Sequence, residues 1–439
     1  MVCSYTAARM EPIDTLLSAR WIIPIEPAGV VLEAHSLAIH QGRILAVLPT
    51  VEAKQRFSAR EELERPAHVL LPGLVNAHTH AASSLLHGAV ASGSFEHWAH
   101  SIRLLQQRWV DAEYVRDGAE LAIAAALSSG TTCFADQHLF PEVVAQTAAE
   151  ARMRVCVGLP VQDTPTVWAG SAGECLDKGF KLRDEYRDDP LITTALAPVE
   201  PASLSDETLE RVRRLADELE LPIHMHVNES RGSAPSLERL EKLGLLSPLL
   251  AAVHMVKLDS ADVERVAAAG ASVVHCPQSN LKHGSGLCPV PMFKDRSVNV
   301  ALGSGGVGNN DLLAELRSAA LIANGMFPAA TPVDAHEWLQ TATLNGARAL
   351  GLAESIGSLL PGKWADVCCI DLGHPNTQPT YDPAAQIVFA ASREQVSDVW
   401  VGGRMLVRDR ALTHLDTAAV LNRAELWRVR IAAQISENS

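Results

Sequence analysis

The sequence contains no apolar run long enough to span a lipid bilayer. Its first residues, "MVCSYTAARMEPIDTLL", include no apolar core of signal-peptide length and carry acidic residues early. It also has no segment rich in Lys and Arg, and its formal net charge is −14, which argues against a nucleic-acid-binding protein. These absences predict a cytoplasmic protein that binds neither membranes nor nucleic acid.

Paired CxxC motifs are also missing. The eight cysteines are scattered, and the adjacent Cys368 and Cys369 lie in a strand-like run, so we expect buried, reduced thiols. The 47% of hydrophobic and 20% of charged residues are ordinary for a globular protein. A chain of 439 residues is long enough for one large domain and a smaller one.

Short apolar runs alternate with amphipathic stretches from about residue 70 onward. The helical stretches include "DAEYVRDGAELAIAAALSSG" and "SDETLERVRRLADELE". The eight strand-like runs are "VLLPGLVNAH", "GTTCFADQH", "RVCVGLPV", "LITTALAP", "LPIHMHV", "AAVHM", "ASVVHCP" and "SVNVALGS". Eight buried strands alternating with helices predict a closed (β/α)8 barrel of the TIM type, which we place at residues 70–355.

The two terminal segments have a different pattern. Strand-like runs with turns fill the first segment, in which "HQGRI" predicts a hairpin. Strand patterns return in "GSLLPGKWADVCCIDL" and "SDVWVGGRMLVRDR", and a final helix is expected at about residues 416–436. We therefore predict a small β-sandwich domain built from residues 1–69 and 356–439, which carries the C-terminal helix.

Histidines recur at the ends of the predicted barrel strands. "NAHTH" places His78 and His80 two residues apart at the end of the first strand, so that both imidazoles point the same way. "IHMHVNES" repeats this spacing on the fifth strand with His224 and His226, followed by Glu229. The pattern predicts that side chains from different strands meet at one end of the barrel.

Two later strands also end in histidine, His254 on the sixth and His275 on the seventh. A single histidine is more often a hydrogen-bonded core residue than a ligand, and one HxH motif is a weak signal. An HxH pair together with histidines at three later strand ends predicts a metal site of the zinc type.

The segment "VNVALGSGGVGNNDLL" ends the eighth predicted strand in glycines. Residues 303–308, which we call the glycine run, hold four glycines and no acid or base. The next acidic residue, Asp311, precedes an apolar helix and is expected to cap it. The sequence therefore raises the question of whether the glycine run performs chemistry or marks a place where a catalytic group is missing.

Several motifs of this chain resemble the amidohydrolase superfamily, in particular its nucleoside-deaminase and chlorohydrolase branch. They are "LLPGLVNAHTHAASSLLHG", "GTTCFADQHLFPE", "VHCPQSNLKHGSGLCPVP", "GSLLPGKWADVCCIDL" and "SDVWVGGRMLVRDR". The resemblance runs over nearly the whole chain. It implies a (β/α)8 barrel with a β-sandwich from both termini, in which one zinc or iron activates water to displace an amino group or halide from a ring carbon.

The resemblance also implies roles for individual residues. The metal ligands would be His78, His80 and His226, and His224 would either contact one of these ligands or lie in the core. Glu229 would shuttle a proton to the ring nitrogen, and His254 would polarise the attacking water. The remaining candidates, as substrate contacts, are Trp98, His275 and Asn280, although Asn280 fits a loop-shaping role equally well. The metal would be zinc, with iron as the alternative, and the assembly a homo-oligomer, either a dimer or a tetramer.

The chain departs from the family pattern at its candidate site. The family's eighth strand carries an aspartate that ligates the metal and takes a proton from water, but here Ser304 passes directly to Gly305. Val199 and Glu200 stand where these deaminases carry a histidine that contacts substrate. The lid before Trp98 lacks an acidic pair, and the segment after "HVNES" is shortened.

Three interpretations follow from these departures. The first is a working hydrolase in which another group, such as Glu229, replaces the aspartate. Asp311 is a poor substitute, and Asp136 has an equally good structural interpretation. The second is an inert relative that keeps the fold and acts as a binding or assembly partner, and the third is a barrel without metal.

The retained histidines and Glu229 favour the first interpretation. We therefore predict a metal-dependent hydrolytic deaminase with reduced activity. Its substrate would be a small molecule, either a purine nucleoside of the adenosine, methylthioadenosine or S-adenosylhomocysteine type or a related N-heterocycle.

Overall fold

The computed structural model describes residues 10–89, 95–229, 236–306, 310–327 and 332–437, except for the side chains at 95–99, 236 and 434–437. Two eight-stranded sheets organise this part of the chain. The strands are β1 (Glu11–Ile22), β2 (Leu32–His40), β3 (Arg43–Pro49), β4 (Phe57–Pro72), β5 (Leu74–Thr79), β6 (Thr131–Asp136), β7 (Arg154–Val161), β8 (Ile192–Pro198), β9 (Ile223–Val227), β10 (Leu250–His254), β11 (Ser272–His275), β12 (Val300–Leu302), β13 (Val367–Asp371), β14 (Val396–Val401), β15 (Arg404–Arg408) and β16 (Ala411–Leu412).

Fifteen α-helices lie in the described ranges, together with 3-10 turns at Ala81–Leu86, Pro201–Ser203, Pro375–Thr377 and Arg393–Gln395. The helices are α1 (Thr50–Arg56), α2 (Phe95–Trp109), α3 (Ala112–Leu127), α4 (Pro141–Glu150), α5 (Ala172–Glu185), α6 (Asp206–Leu219), α7 (Ser236–Lys242), α8 (Ser260–Ala269), α9 (Pro277–His283), α10 (Val290–Lys294), α11 (Leu312–Met326), α12 (Ala335–Thr341), α13 (Leu344–Ala349), α14 (Pro383–Phe389) and α15 (Thr417–Glu437). None of them combines the length and the apolar character that a membrane span requires.

The second sheet is parallel and follows chain order from β5 to β12, with each strand paired to the next. Its strands are apolar runs rather than alternating patterns because helices cover the outside and side chains fill the inside. Residues on β6 and β7 are buried throughout. The predicted (β/α)8 barrel is confirmed.

The glycine run closes this barrel. Thr79 at the end of β5 forms a parallel bridge to Gly305 after β12, which joins the two edge strands of the sheet. The backbone carbonyl of His78 accepts hydrogen bonds from the N–H groups of Ser304 (2.9 Å) and Gly305 (3.1 Å). Closure removes the last unpaired strand edge of the sheet.

Two of the glycines are required by this close approach. A Cβ atom on Gly303 would lie 2.8 Å from the Cβ of His78 and 2.9 Å from the Sγ of Cys276, so a side chain there would push the two edge strands apart. Gly305 has a φ of +65°, in the left-handed region that favours glycine. The glycine run therefore has a structural function that is independent of catalysis.

The terminal segments form the first sheet, in the order β16-β15-β14-β13-β4-β1-β2-β3. Its pairs are antiparallel except for the parallel pair β1 and β4. The predicted hairpin between β2 and β3 is confirmed, with positive φ at Gln41 and Gly42. Separate clusters of buried apolar side chains pack on this sheet, one around Leu17 and Trp400 and another around Ile13 and Phe57.

Buried polar contacts attach the terminal segments to the barrel. Arg154 on β7 makes two hydrogen bonds to Asp366, at 2.8 and 3.0 Å, and both side chains are almost fully buried. The C-terminal helix α15 packs on α3, where the indole of Trp427 donates to Asp117 at 2.9 Å. A buried pair of this kind is destabilising to break, because either partner alone would be an uncompensated buried charge.

Glu315 on α11 is fully buried, so its ionisation makes the stability of the fold depend on pH. Its Oε2 accepts a hydrogen bond from the backbone of Gln278 at 3.0 Å, and Oε1 has no partner among the described residues. Burial raises the pKa of Glu315 to about 8. Between about pH 4.5 and 8 the unfolded chain ionises this group while the folded chain keeps it protonated, so folding loses stability as the pH rises.

We expect the Glu315→Gln variant, which does not titrate, to gain stability relative to the native chain as the pH increases. Urea unfolding should show this difference in unfolding free energy growing by roughly 3 kcal/mol from pH 5 to pH 8. The exposed Glu207→Gln on α6 is the control for loss of one negative charge. A difference that does not change with pH would show that Glu315 is ionised in the folded protein.

Candidate metal centre and active site

Three histidines predicted as ligands meet at the C-terminal end of the barrel. His78 is on β5, His80 follows it, and His226 is on β9. Their candidate ligand atoms all lie within 4.8 Å of one another, and the Nε2 atoms of His78 and His226 are 3.1 Å apart. The HxH spacing therefore brings both imidazoles of the first strand to one point, as extended backbone requires.

Hydrogen bonds to the second ring nitrogen fix two of these imidazoles. The Nδ1 of His80 donates to the backbone carbonyl of Gln137 at 2.5 Å, and the Nδ1 of His78 lies 2.7 Å from the Nε2 of His224. The Nε2 atoms of His78 and His80 are thus left for a ligand. This arrangement of an outer hydrogen bond behind each ligating imidazole is usual at metal sites. It places His224 behind His78, in contact with a predicted ligand.

The electrostatics of the cluster keep the three rings neutral. Burial, together with the neighbouring imidazoles, lowers the pKa of His78 and of His226 well below the usual value, and burial also lowers the pKa of His80. Neutral imidazole is the form that ligates a metal. Three neutral nitrogen donors around one point fit a divalent metal of the zinc type.

A second group shares His226 with the first and adds Glu229 and His254. The Nε2 of His254 lies 3.4 Å from Oε1 of Glu229. Burial raises the pKa of Glu229 to about 7 and lowers the pKa of His254 to about 3. An acid with a pKa near neutrality next to a neutral imidazole is a combination suited to proton transfer.

His254 has a strained backbone conformation, and the side-chain amide of Asn280 contacts its ring. Its φ is +77°, a conformation that residues with a side chain rarely adopt and that is concentrated at functional sites. The Nδ2 of Asn280 lies 3.1 Å from the Nδ1 of His254, so that the amide donates and Nε2 carries the proton that faces Glu229. Asn280, predicted as either a substrate contact or a loop residue, thus contacts the catalytic candidate itself.

The end of β12 contributes no carboxylate to the three-histidine group among the residues described. The hydroxyl of Ser304 accepts a hydrogen bond from Asn76 at 2.8 Å and donates to Asn310 at 3.2 Å. A Cβ on Gly306 would lie 3.0 Å from the Cδ2 of His80, so a side chain at 306 would begin beside a ligand. Residues 307 and 308 of the glycine run, and residue 309 after it, lie outside the described residues.

The two other aspartates near the site are engaged in structure. Asp311 caps α11, as predicted, by accepting hydrogen bonds from Leu313 and Ala314 at 3.1 Å each. Asp136 accepts one at 2.6 Å from the backbone of Ala81, where the turn after His80 begins, and burial raises its pKa to about 7. Both therefore shape the backbone around the histidines.

A cavity of about 540 Å³ opens at the three-histidine group. His80 and His226 line it, and so does Val199, at the position predicted to depart from the family. His275, predicted as a substrate contact, is buried on β11 and does not line the cavity. Trp98 belongs to α2, but its side chain is not described, so its role stays a prediction.

Several residues that line this cavity were not predicted from the sequence. They are Arg103 on α2, Gln137 and His138 after β6, and Gln162 after β7. The available signal was position, because polar residues directly after a barrel strand lie on the active face. The motif "GTTCFADQH" predicts a strand, and its last two residues, Gln137 and His138, follow the end of β6.

Comparison with known proteins agrees with this geometry. The model of the amidohydrolase family matches residues 69–406. The chain is 40% identical over 435 residues to the 5-methylthioadenosine/S-adenosylhomocysteine deaminase of Teredinibacter turnerae, which covers 96% of this chain and 98% of that protein. The protein of the same name from Saccharophagus degradans is 38% identical, with the same coverage.

Solved structures give the same result. An adenosine deaminase from Xanthomonas campestris with bound zinc is 42% identical and has a TM-score of 0.95, covering 97% of this chain and 100% of that chain. An atrazine chlorohydrolase from Arthrobacter aurescens complexed with zinc is 22% identical, with a TM-score of 0.86 over 94% of this chain and 99% of that chain, and shares the fold. The chain therefore belongs to the amidohydrolase family, as its motifs indicate.

Proposed function

We propose that this chain is a metal-dependent hydrolytic deaminase of a purine nucleoside or a related N-heterocycle. The observation that carries the proposal is the meeting of three neutral histidines with Glu229 and His254, in two groups that share His226, beside a cavity that His80 and His226 line. Two relatives that are 40% and 38% identical to this chain are named 5-methylthioadenosine/S-adenosylhomocysteine deaminases. Adenosine and its 5′-thioether derivatives are therefore the first substrates to test.

The metal would be held by His78, His80 and His226, with His224 fixing the orientation of His78. Three imidazole nitrogens suit zinc, and iron accepts the same donors. When bound, such a metal lowers the pKa of water towards neutrality. The similar adenosine deaminase from Xanthomonas campestris has bound zinc, which supports zinc as the first choice.

The reaction adds one water to the ring carbon and releases one ammonia. His254 would orient and polarise the attacking water through the proton on its Nε2. Glu229, whose pKa is about 7, would take one proton from that water and deliver it to the ring nitrogen, and would then move the proton of the added hydroxyl to the leaving amine, which departs as ammonia. Both residues are placed within 3.4 Å of each other, so one substrate ring could contact both.

The missing eighth-strand carboxylate is expected to reduce the rate rather than abolish the site. In this proposal Glu229 performs both proton transfers, a task that the family divides between two carboxylates. An inert relative that retains the fold and acts as an assembly partner is the alternative, and the glycine run is the observation in its favour. Loss of a catalytic base typically costs about 10²- to 10⁴-fold in rate.

We also infer that the chain works in the cytoplasm as a homo-oligomer, a dimer or a tetramer. The seven cysteines that the structure describes are buried and unpaired, which suits a reducing compartment.

We expect the protein with its metal to release ammonia from at least one of adenosine, methylthioadenosine and S-adenosylhomocysteine. The Glu229→Gln variant, which cannot exchange the proton, should lose about 10²- to 10⁴-fold in kcat while retaining its metal. Coupled detection of ammonia measures the turnover of the native chain and of the variant. The exposed Glu185→Gln on α5 is the matched control. Equal turnover by Glu229→Gln would remove Glu229 from the mechanism, and no ammonia from any purine would favour the inert relative.

We expect insertion of an aspartate between Ser304 and Gly305 to raise kcat, because it restores a carboxylate to the end of the eighth strand. Steady-state kinetics with the best substrate measure the change, and insertion of asparagine at the same place controls for the added length. Turnover that stays the same in the aspartate insertion, with metal content intact, would show that the missing carboxylate does not limit the rate.

A further inference from the structure

Two adjacent side chains after β6 carry buried polar atoms without partners. Gln137 is 6% exposed and His138 is 8% exposed, and both line the cavity that opens at the histidines. Among the described residues, the Oε1 of Gln137 and the Nε2 of His138 have no hydrogen-bond partner. Buried polar atoms are almost always paired, so two neighbouring unpaired atoms on residues that line one cavity point to a partner that enters this cavity.

Both of these atoms are hydrogen-bond acceptors. The Nδ1 of His138 lies 3.1 Å from the carbonyl oxygen of Leu139, which only accepts, so Nδ1 carries the proton and Nε2 carries the lone pair. Burial lowers the pKa of His138 to about 4, in agreement with a neutral ring. The Nε2 of Gln137 donates to the carbonyls of Ala197 and Pro198, at 3.4 and 3.3 Å, which leaves its oxygen directed elsewhere.

The surroundings of the pair connect it to the reacting end of the cavity. The backbone carbonyl of Gln137 accepts a hydrogen bond from His80, and Gln137, His138 and His80 all line the same cavity. The other polar lining residues, such as Arg103 and Gln162, supply donors elsewhere on the wall. A ligand held at the histidines therefore meets acceptors at this point of the wall.

We propose that Gln137 and His138 form a recognition site for hydrogen-bond donors of the substrate, which selects ligands that present adjacent N–H or O–H groups. The inference rests on the proposed function for the identity of the ligand. Its shared chemistry is a pair of donors, which a nucleoside supplies either from the vicinal hydroxyls of its ribose or from an amino group on its ring. A ligand that lacks the donor leaves a buried acceptor unpaired and is rejected.

The kinetic test compares kcat/KM for adenosine, 2′-deoxyadenosine, 3′-deoxyadenosine and 2,6-diaminopurine riboside. If the ribose supplies the donors, the deoxy analogues lose about 10- to 100-fold. If the ring supplies them, the diaminopurine riboside is preferred by about 10-fold over adenosine. In His138→Phe the preference should fall towards 1, and His138→Gln, which restores an acceptor, should recover part of it.

Further variants distinguish loss of the acceptors from misfolding and from a non-specific change in the cavity. Gln137→Met removes the second acceptor and should weaken the same preference. Val167→Ala, at the exposed rim of the cavity and without a polar side-chain atom, is the control that should leave the preference intact. Ratios that are the same in the native chain, His138→Phe and Gln137→Met would overturn the proposal and assign the two acceptors to solvent.

A binding measurement separates this inference from the proposed function. Titration calorimetry with inosine, 2′-deoxyinosine and guanosine requires no turnover. A preference that depends on His138, without ammonia release from any purine, would support the recognition site and contradict the deaminase. Ammonia release without any such preference would do the reverse, and the absence of both binding and turnover would overturn both proposals.

Discussion

Closure of the barrel on the backbone of His78 is the constraint on which the rest of the site depends. One carbonyl accepts hydrogen bonds from both Ser304 and Gly305, so the residue that begins the ligand set also fastens the first barrel strand to the last. A side chain at Gly303 would collide with the Cβ of His78. The glycine run is therefore compatible with an intact barrel, and the loss of a carboxylate there does not require loss of the fold.

Neighbouring residues orient the imidazoles of the site through hydrogen bonds. His224 supports His78, and the backbone of Gln137 supports His80, so the imidazoles are oriented before any metal binds. Asn280 does the same for His254, whose backbone is held in a strained conformation. Preorganisation of this kind explains how a site with three histidines could remain competent without a fourth protein ligand. Proton transfer would then depend on Glu229, the one carboxylate grouped with these histidines in the described part of the chain.

The sequence predicted those features that depend on local pattern. Alternating apolar and amphipathic stretches predicted the barrel, the HxH spacing predicted that His78 and His80 converge, and the N-cap at Asp311 was predicted correctly. The contacts between His224 and His78 and between Asn280 and His254 were not predicted, because local pattern does not determine them. The first joins β5 and β9, four strands apart around the barrel, and the second joins helix α9 to the end of β10. The position of Gln137 and His138 directly after a barrel strand indicates the active face, but that their acceptor atoms lack partners is visible only in the three-dimensional structure.

The most direct test of the account is the metal content of each chain, measured by plasma mass spectrometry after purification without chelator or a polyhistidine tag. The account predicts about one transition metal per chain, lost in the His78→Ala, His80→Ala double variant and retained in the control pair His35→Ala, His40→Ala on β2. Absence of metal from the folded native chain, even after incubation with zinc, would contradict it. The glycine run would then mark an inactive site, and the function would lie in binding or assembly.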